Sequence, residues 1–176
     1  MATTKWVLDP THSEITFKVK HMMFTNVSGK FDTFQATAES DGDNFENARF
    51  DFQAETTSIN TGNADRDNHL RGGDFFDAEQ FPQLTFKSTA FQQKSGDDYT
   101  LTGDLSLHGV TKSISLDVEF GGLAQDPWGN TKAGLSATGK LNRKDFGLNW
   151  NAALEAGGVL VGEEVKLHIE LQFVKQ

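Results

Sequence analysis

Five histidines and a short arginine-bearing segment are the only residues in this chain whose type and spacing suggest site chemistry. There are no cysteines, which removes disulfides, thiolate metal sites and cysteine nucleophiles. Nucleophile-elbow, zinc-protease, P-loop and dinucleotide-fold signatures are absent. No catalytic, metal or cofactor residue is therefore assigned. His168 alternates with Lys166 and Glu170 and belongs on a solvated face. His108 stands beside Gly109 at a turn, and His12 lies in Thr11-His12-Ser13-Glu14, where a local hydrogen bond is the default.

Two positions are more informative. His21 shares parity with Ile15, Phe17 and Val19, so it points inward. It is either a core histidine satisfied by a neighbour or a polar anchor touching a ligand head. His69 lies in Arg66-Asp67-Asn68-His69, where Arg66 and His69 are i,i+3 neighbours on a helix. They form either a surface ion-pair set with Asp65, Asp67 and Asp74 or, with Arg71, a basic lining at the mouth of a cavity.

The elements that position these residues are strands. Residues 15–23 set Ile15, Phe17, Val19, His21 and Met23 against Thr16, Lys18 and Lys20. The same alternation runs through 48–57 (Ala48, Phe50, Phe52 and Ala54 inward), 99–107, 114–120 (Ile114, Leu116, Val118 and Phe120 inward) and 165–173. Less regular strands are expected at 28–39, 83–93 and 131–142, and a short one at 5–8. Turn chemistry separates them: Asp41-Gly42-Asp43-Asn44, Ser95-Gly96-Asp97-Asp98, His108-Gly109, Asp126-Pro127-Trp128-Gly129 and Gly157-Gly158. Eight substantial strands on short connections make an all-β, antiparallel single domain over 1–176. Eight strands suffice to close a barrel that is either filled or holds one small ligand.

One stretch breaks the rhythm. Residues 61–81 lack alternation, and Thr61 or Asn63 could cap a short helix over 64–71, within an insertion at about 62–72 ended by Gly72-Gly73. Thr11-His12-Ser13-Glu14 also fits a capping box opening one helical turn after Pro10. Phe75-Phe76 and Phe81-Pro82 behind the helix are either a plug closing one barrel end or a ligand wall, the plug being the simpler reading.

Composition narrows the function. The formal charge is −9, from 16 basic and 25 acidic side chains. Without a basic run this opposes nucleic-acid binding and binding to anionic lipid. Fifteen phenylalanines against one tyrosine must line something dry. With no apolar leader and no long apolar run, the expected location is cytoplasmic, or periplasmic or secreted if a leader has been removed, with no membrane insertion.

Together these residues resemble the YceI-like family. The opening Trp6-Val7-Leu8-Asp9-Pro10-Thr11-His12-Ser13-Glu14-Ile15-Thr16-Phe17 carries the likeness, as do Arg66-Asp67-Asn68-His69-Leu70 with Asp74-Phe75-Phe76-Asp77 and Phe81-Pro82, Tyr99 to Leu105 with His108-Gly109-Val110-Thr111, and Asn142-Arg143-Lys144-Asp145-Phe146-Gly147. The resemblance implies a lipocalin-like barrel with a long apolar tunnel, a homodimer, and a carrier, storage or sequestration role with a link to stress. The implied ligand is a polyisoprenoid, of prenyl quinone or prenyl pyrophosphate type, or another long amphiphile. His21, Arg66 and His69 are the head-group candidates. Phe17, Val19, Phe50, Phe52, Leu105, Leu116, Val118 and Leu135 are the wall at inward parity, with Phe76 beside them. Arg143 and Asp145 are expected to form a structural pair. The competing readings are a lipid-modifying enzyme using His21 or His69 and a packed-barrel structural or interaction protein.

Overall fold

The structure is a computed structural model that describes residues 3–22, 24–151 and 160–176. The expected Gly157-Gly158 turn and the inward position of Met23 lie outside the described residues. The alternating segments become strands β1 (Thr3–Leu8), β2 (Glu14–His21), β3 (Thr25–Phe31), β4 (Phe34–Asp41), β5 (Asn44–Glu55), β6 (Ile59–Asn60), β7 (Gln83–Ser95), β8 (Asp98–Leu107), β9 (Val110–Gln125), β10 (Thr131–Asn142) and β11 (Val161–Lys175), with one helix, α1 (Ala64–Arg71). Every ladder between them is antiparallel.

The barrel closes through eight staves in the order β1-β4-β5-β7-β8-β9-β10-β11, with β11 returning to β1 at Leu8↔Phe173. β2, β3 and β6 are continuations of the first three staves. β11 is long enough to pair with β1 near its C-terminal end and with β2 along the rest. The expected strand over 28–39 is thus β3 and β4, interrupted at Asp32-Thr33. The interruption follows from its neighbours: the first stave bends at Pro10–His12 and the third at Thr56–Ser58. Asp32 N donates to Ser58 O at 3.1 Å and Glu55 N to Thr33 O at 2.9 Å, binding the bends into one crease. Past the crease β6 pairs only with β3, and the chain leaves for α1 before returning as β7.

The crease also corrects the capping-box expectation. The turn over Pro10–His12 is capped from ahead, by Asp9 accepting from Thr11 N, and Glu14 already begins β2. Proline at the first position presets the turn, and Asp9 satisfies its free N–H. Asp9 Oδ2 lies 2.8 Å from His12 Nδ1 and 3.3 Å from Lys132 Nζ. Bonds to Thr11 and His12, then Lys132, hold the Asp9 carboxyl well below the usual carboxylate range, against the opposing effect of burial.

Both barrel ends are built from the alternating core, but differently. Near the termini the interior is a packed aromatic floor. Phe45 meets Trp6 at 5.0 Å and Phe120 at 4.9 Å between ring centroids, Phe91 meets Tyr99 at 4.6 Å and Phe50 at 5.0 Å, and Phe50 meets Phe173 at 5.9 Å. Trp6, Phe45, Phe91 and Phe173 are all fully buried. The one polar atom Trp6 brings inside, Nε1–H, donates to Ser40 Oγ at 2.8 Å, so burial leaves nothing unpaired.

Candidate functional site

Beyond the floor the staves enclose a cavity of about 340 Å³, within the range of small-ligand sites. Its wall is almost wholly aliphatic and aromatic. Phe17, Val19, Phe50, Phe52, Leu105, Leu116, Val118 and Leu135 all face it, as their parity requires, and Phe76 joins them from the segment behind α1. Phe75 also lines the cavity, and Phe81 instead packs its ring edge-on to His108 at 5.1 Å. Phe75 and Phe76 thus line the cavity, as the ligand-wall reading requires, and Phe81 does not. Inward glycines keep the wall thin: a Cβ on Gly29 would collide with the Phe17 ring and Thr61. The close approach lets that ring lie over the backbone of β3 instead of across the cavity.

Polar side chains gather at the opposite end from the floor. His21, at the last position of β2, lines the cavity and makes no side-chain hydrogen bond among the described residues. The satisfied-core reading of His21 therefore finds no described partner. Asn63 caps α1 by accepting from Arg66 N at 3.0 Å, which aims the helix's first turn across the opening. Arg66 then donates Nε–H to Thr61 Oγ1 at 2.7 Å and Nη2–H to Thr61 O at 2.8 Å. It has no carboxylate within 4.0 Å among the described residues, so its charge is not neutralised locally. Asp67, the acid beside it, is buried and accepts from Thr61 N and Oγ1 instead. His69 Nε2 lies 3.0 Å from Asp74 Oδ2, and its ring stands edge-on to Phe75 and Trp150 at 5.1 and 4.7 Å. Both expectations for this segment hold in part: His69 is paired to Asp74 as in an ion-pair set, while Arg66 and His69 also line the opening. Arg71 does not. It binds Thr57 O, Asn68 Oδ1 and Ile59 O and fastens α1 to the third stave.

Arg143 is the site residue that the sequence concealed. It is 3% exposed and lines the cavity, yet among the described residues it forms no ion pair with Asp145, which is exposed. Its guanidinium donates to four backbone carbonyls, those of Leu148 (2.6 Å), Gly162 (2.8 Å), Trp150 (2.9 Å) and Val161 (3.2 Å). Burial pulls its pKa down and Glu163 pulls it back up, but a guanidinium stays charged under these conditions. The expected Arg143–Asp145 pair is thus replaced by a clamp that holds the Trp150 segment against β11. A five-donor fork suits carbonyls converging from two chain segments better than a single carboxylate two residues away. Trp150 and Leu160 also line the opening from irregular backbone, where no periodicity marks them.

The remaining histidines are structural: His12 bonds Asp9, His168 lies 2.8 Å from Glu170, and His108 Nδ1 lies 3.1 Å from Phe146 O at a turn with φ of +54°. Neither His21 nor His69 hydrogen-bonds to a hydroxyl among the described residues, and no group of three metal-ligating side chains converges there. The arrangement is an apolar pouch with cationic and imidazole groups at one end.

Comparison with known proteins places this architecture. The family model of the YceI-like domain matches residues 6–173. The chain belongs to the YceI-like family. It is 38% identical over 171 residues to UPF0312 protein SA2479 of Staphylococcus aureus strain N315, covering 97% of both chains. The crystal structure of the Campylobacter jejuni YceI protein superposes with a TM-score of 0.77 at 32% identity, covering 89% of this chain and 90% of that one. A domain from Saccharophagus degradans, described as polyisoprenoid binding and implicated in plant cell wall breakdown, shares the fold at TM-score 0.74 and 16% identity, over 97% and 98% of the two chains. Among the described residues of this YceI-like chain, no helix is long and apolar enough to cross a membrane.

Proposed function

We propose that this protein binds a long apolar or amphiphilic ligand of the polyisoprenoid class, with its tail in the barrel cavity and its head group at His21, Arg66 and His69, and that it acts as a carrier or store. The observation that carries this reading is the distribution of chemistry along the cavity: an almost wholly apolar wall, with arginine and imidazole side chains gathered at the opening. A packed-barrel protein would have no such space, and an enzyme would need a nucleophile or acid–base pair aimed into it. The Saccharophagus degradans neighbour adds the ligand class by analogy of fold.

The energetics are sufficient. At roughly 0.8 kcal/mol per buried CH₂, about fifteen carbons supply about 12 kcal/mol gross. Association and chain ordering take back at least several kcal/mol. Affinity then comes from the tail, and selectivity from the few polar groups at the opening. Organic extraction of the purified protein followed by mass spectrometry is expected to release a prenyl-type or related lipid. A preparation that yields none, and that also fails to take up added prenyl lipids, overturns the proposal.

A further inference from the structure

We propose that Met22 and Phe24, at the end of the β2–β3 hairpin, with the lysine row beside them, dock the open end of the barrel onto an anionic lipid bilayer. The inference rests on the binding reading above, because it concerns how an amphiphile would reach the cavity.

These two described residues are apolar and exposed. Met22 is 40% and Phe24 is 81% exposed. Their position is built, not frayed: Met22 N donates to Leu160 O at 2.8 Å and Phe24 N to His21 O at 3.1 Å. Met22 also holds a φ of +52°, a left-handed conformation unfavourable for a residue with a side chain. His21 and Leu160, the bonding partners of this turn, line the cavity opening. The exposed apolar pair is therefore continuous with the opening.

The charge beside it is equally specific. On the outer face of the sheet Lys18 pairs directly with Lys166, and Lys166 with Lys140, giving three lysines in one row across β2, β11 and β10. All three are exposed, and none forms an ion pair among the described residues. Lys30 lies on the same surface, and Lys20 is the residue before His21. Like charges directly opposite on adjacent strands weaken a sheet, so folding gives no reason for the row. The row lies about 13 Å from Met22, by four residues of strand rise. The net charge of −9 argued against anionic lipid, but it averages over the whole surface. Of the exposed acids at the opening, Asp65 and Asp74 sit on the α1 side, Glu163 is paired to Lys144, and Glu164 lies two residues from Lys166 on β11. Farther back on the lysine face Asp117 is paired to Lys94 and Glu14 is exposed. The part nearest the opening therefore keeps Lys18, Lys20, Lys140 and Lys166 against Glu164, and a negative surface favours approach through it. Apolar side chains at Met22 and Phe24 and unpaired lysines behind them match the two layers of a bilayer interface, acyl boundary and phosphate.

Sedimentation of the cargo-free protein with vesicles tests this. Binding is expected to equimolar phosphatidylglycerol and phosphatidylcholine vesicles at low salt, with little to phosphatidylcholine alone and a steep loss at high salt. Phe24→Ser is expected to lower partitioning about tenfold. Lys18→Gln, Lys140→Gln and Lys166→Gln combined are expected to lower it on the order of a hundredfold, at about fivefold per charge near an anionic surface. Trp128→Ser is the control. Trp128 is 82% exposed on the β9–β10 turn at the floor end, and its loss should leave partitioning unchanged. The salt dependence of the unaltered protein needs no variant to fold. Failure of that protein to sediment with anionic vesicles, equal binding to neutral ones, or dependence on Trp128 in place of Phe24 overturns the inference. Uptake of a fluorescent farnesyl probe in vesicle-free buffer is read separately. If uptake fails while vesicle binding behaves as stated, the docking surface is supported and the cavity reading is overturned.

Discussion

The two ends of this barrel use the same strands and nearly the same residue types, yet one end is solid and the other hollow. At the floor, Trp6, Phe45, Phe91, Tyr99, Phe120 and Phe173 converge from six staves and fill the section with rings. At the opening the first three staves bend at one crease, β6 loses contact with β7, and a helix and irregular backbone complete the circumference. Side chains that would meet across the axis in a regular barrel are held apart. Apolar periodicity makes a wall in both places. Whether opposite walls touch depends on the path of the staves.

That contrast can be broken most severely at the floor. Phe91→Ala removes a ring with no exposed surface, in contact with Phe50 and Tyr99, and is expected to cost about 3–5 kcal/mol. Phe76→Ala, on the hollow side and half-buried, should cost less than about 1.5 kcal/mol, since its ring already faces open space on one side. Urea unfolding midpoints of the two variants measure the difference directly. Equal costs would mean that the cavity is not open in solution.

Next in size is a change that converts hollow toward solid. Gly29→Val places a branched side chain where the Phe17 ring and Thr61 now lie. The ring must swing into the cavity, and prenyl uptake is expected to fall at least tenfold, on the order of the loss of one or two methylene contacts. Displacement titration against a fluorescent probe gives the value.

A smaller effect separates tail from head. Arg66→Ala removes a charge with no local carboxylate, and binding of a prenyl pyrophosphate should weaken about tenfold, as for loss of one charged hydrogen bond. A prenyl alcohol of equal length should bind as before. Equal weakening of both would assign Arg66 to shaping the opening, not to the head group.

The smallest effect belongs to the floor side of the crease. Asp9 is held ionised by Thr11, His12 and Lys132. Its folded pKa is lower than its unfolded value, so its stabilisation is present above about pH 4 and is lost as pH falls from there toward the folded value. Asp9→Asn should cost about 1 kcal/mol at neutral pH, and the gap from the unaltered protein should narrow as the pH drops below about 4. Thermal melts across that window check the sign.

Much of this could be read before folding was considered. Tyr99, Leu101, Leu105 and Leu107 are buried as their alternation requires, and α1 begins where Asn63 can cap it. Both are local: strand parity is a property of consecutive residues, and a cap involves atoms three residues apart. The misreadings have the opposite character. Thr11-His12-Ser13-Glu14 had the letters of a capping box, but Asp9 reached Thr11 N first and the chain was needed in β2. Arg143 and Asp145 are two residues apart, but the carbonyls that Arg143 serves belong to Leu148, Trp150, Val161 and Gly162. No short window contains them together.

The sequence by itself therefore determined the staves, the inward set of side chains and the family likeness, because period-two alternation and turn chemistry act over a few residues. Tertiary structure alone decided that the inward set encloses space and that Arg143 and Trp150 join His21, Arg66 and His69 at its opening. It also set Lys18, Lys166 and Lys140 in one row. Those outcomes depend on where distant strands bend and pair, and alternation carries no information about the distance across a barrel.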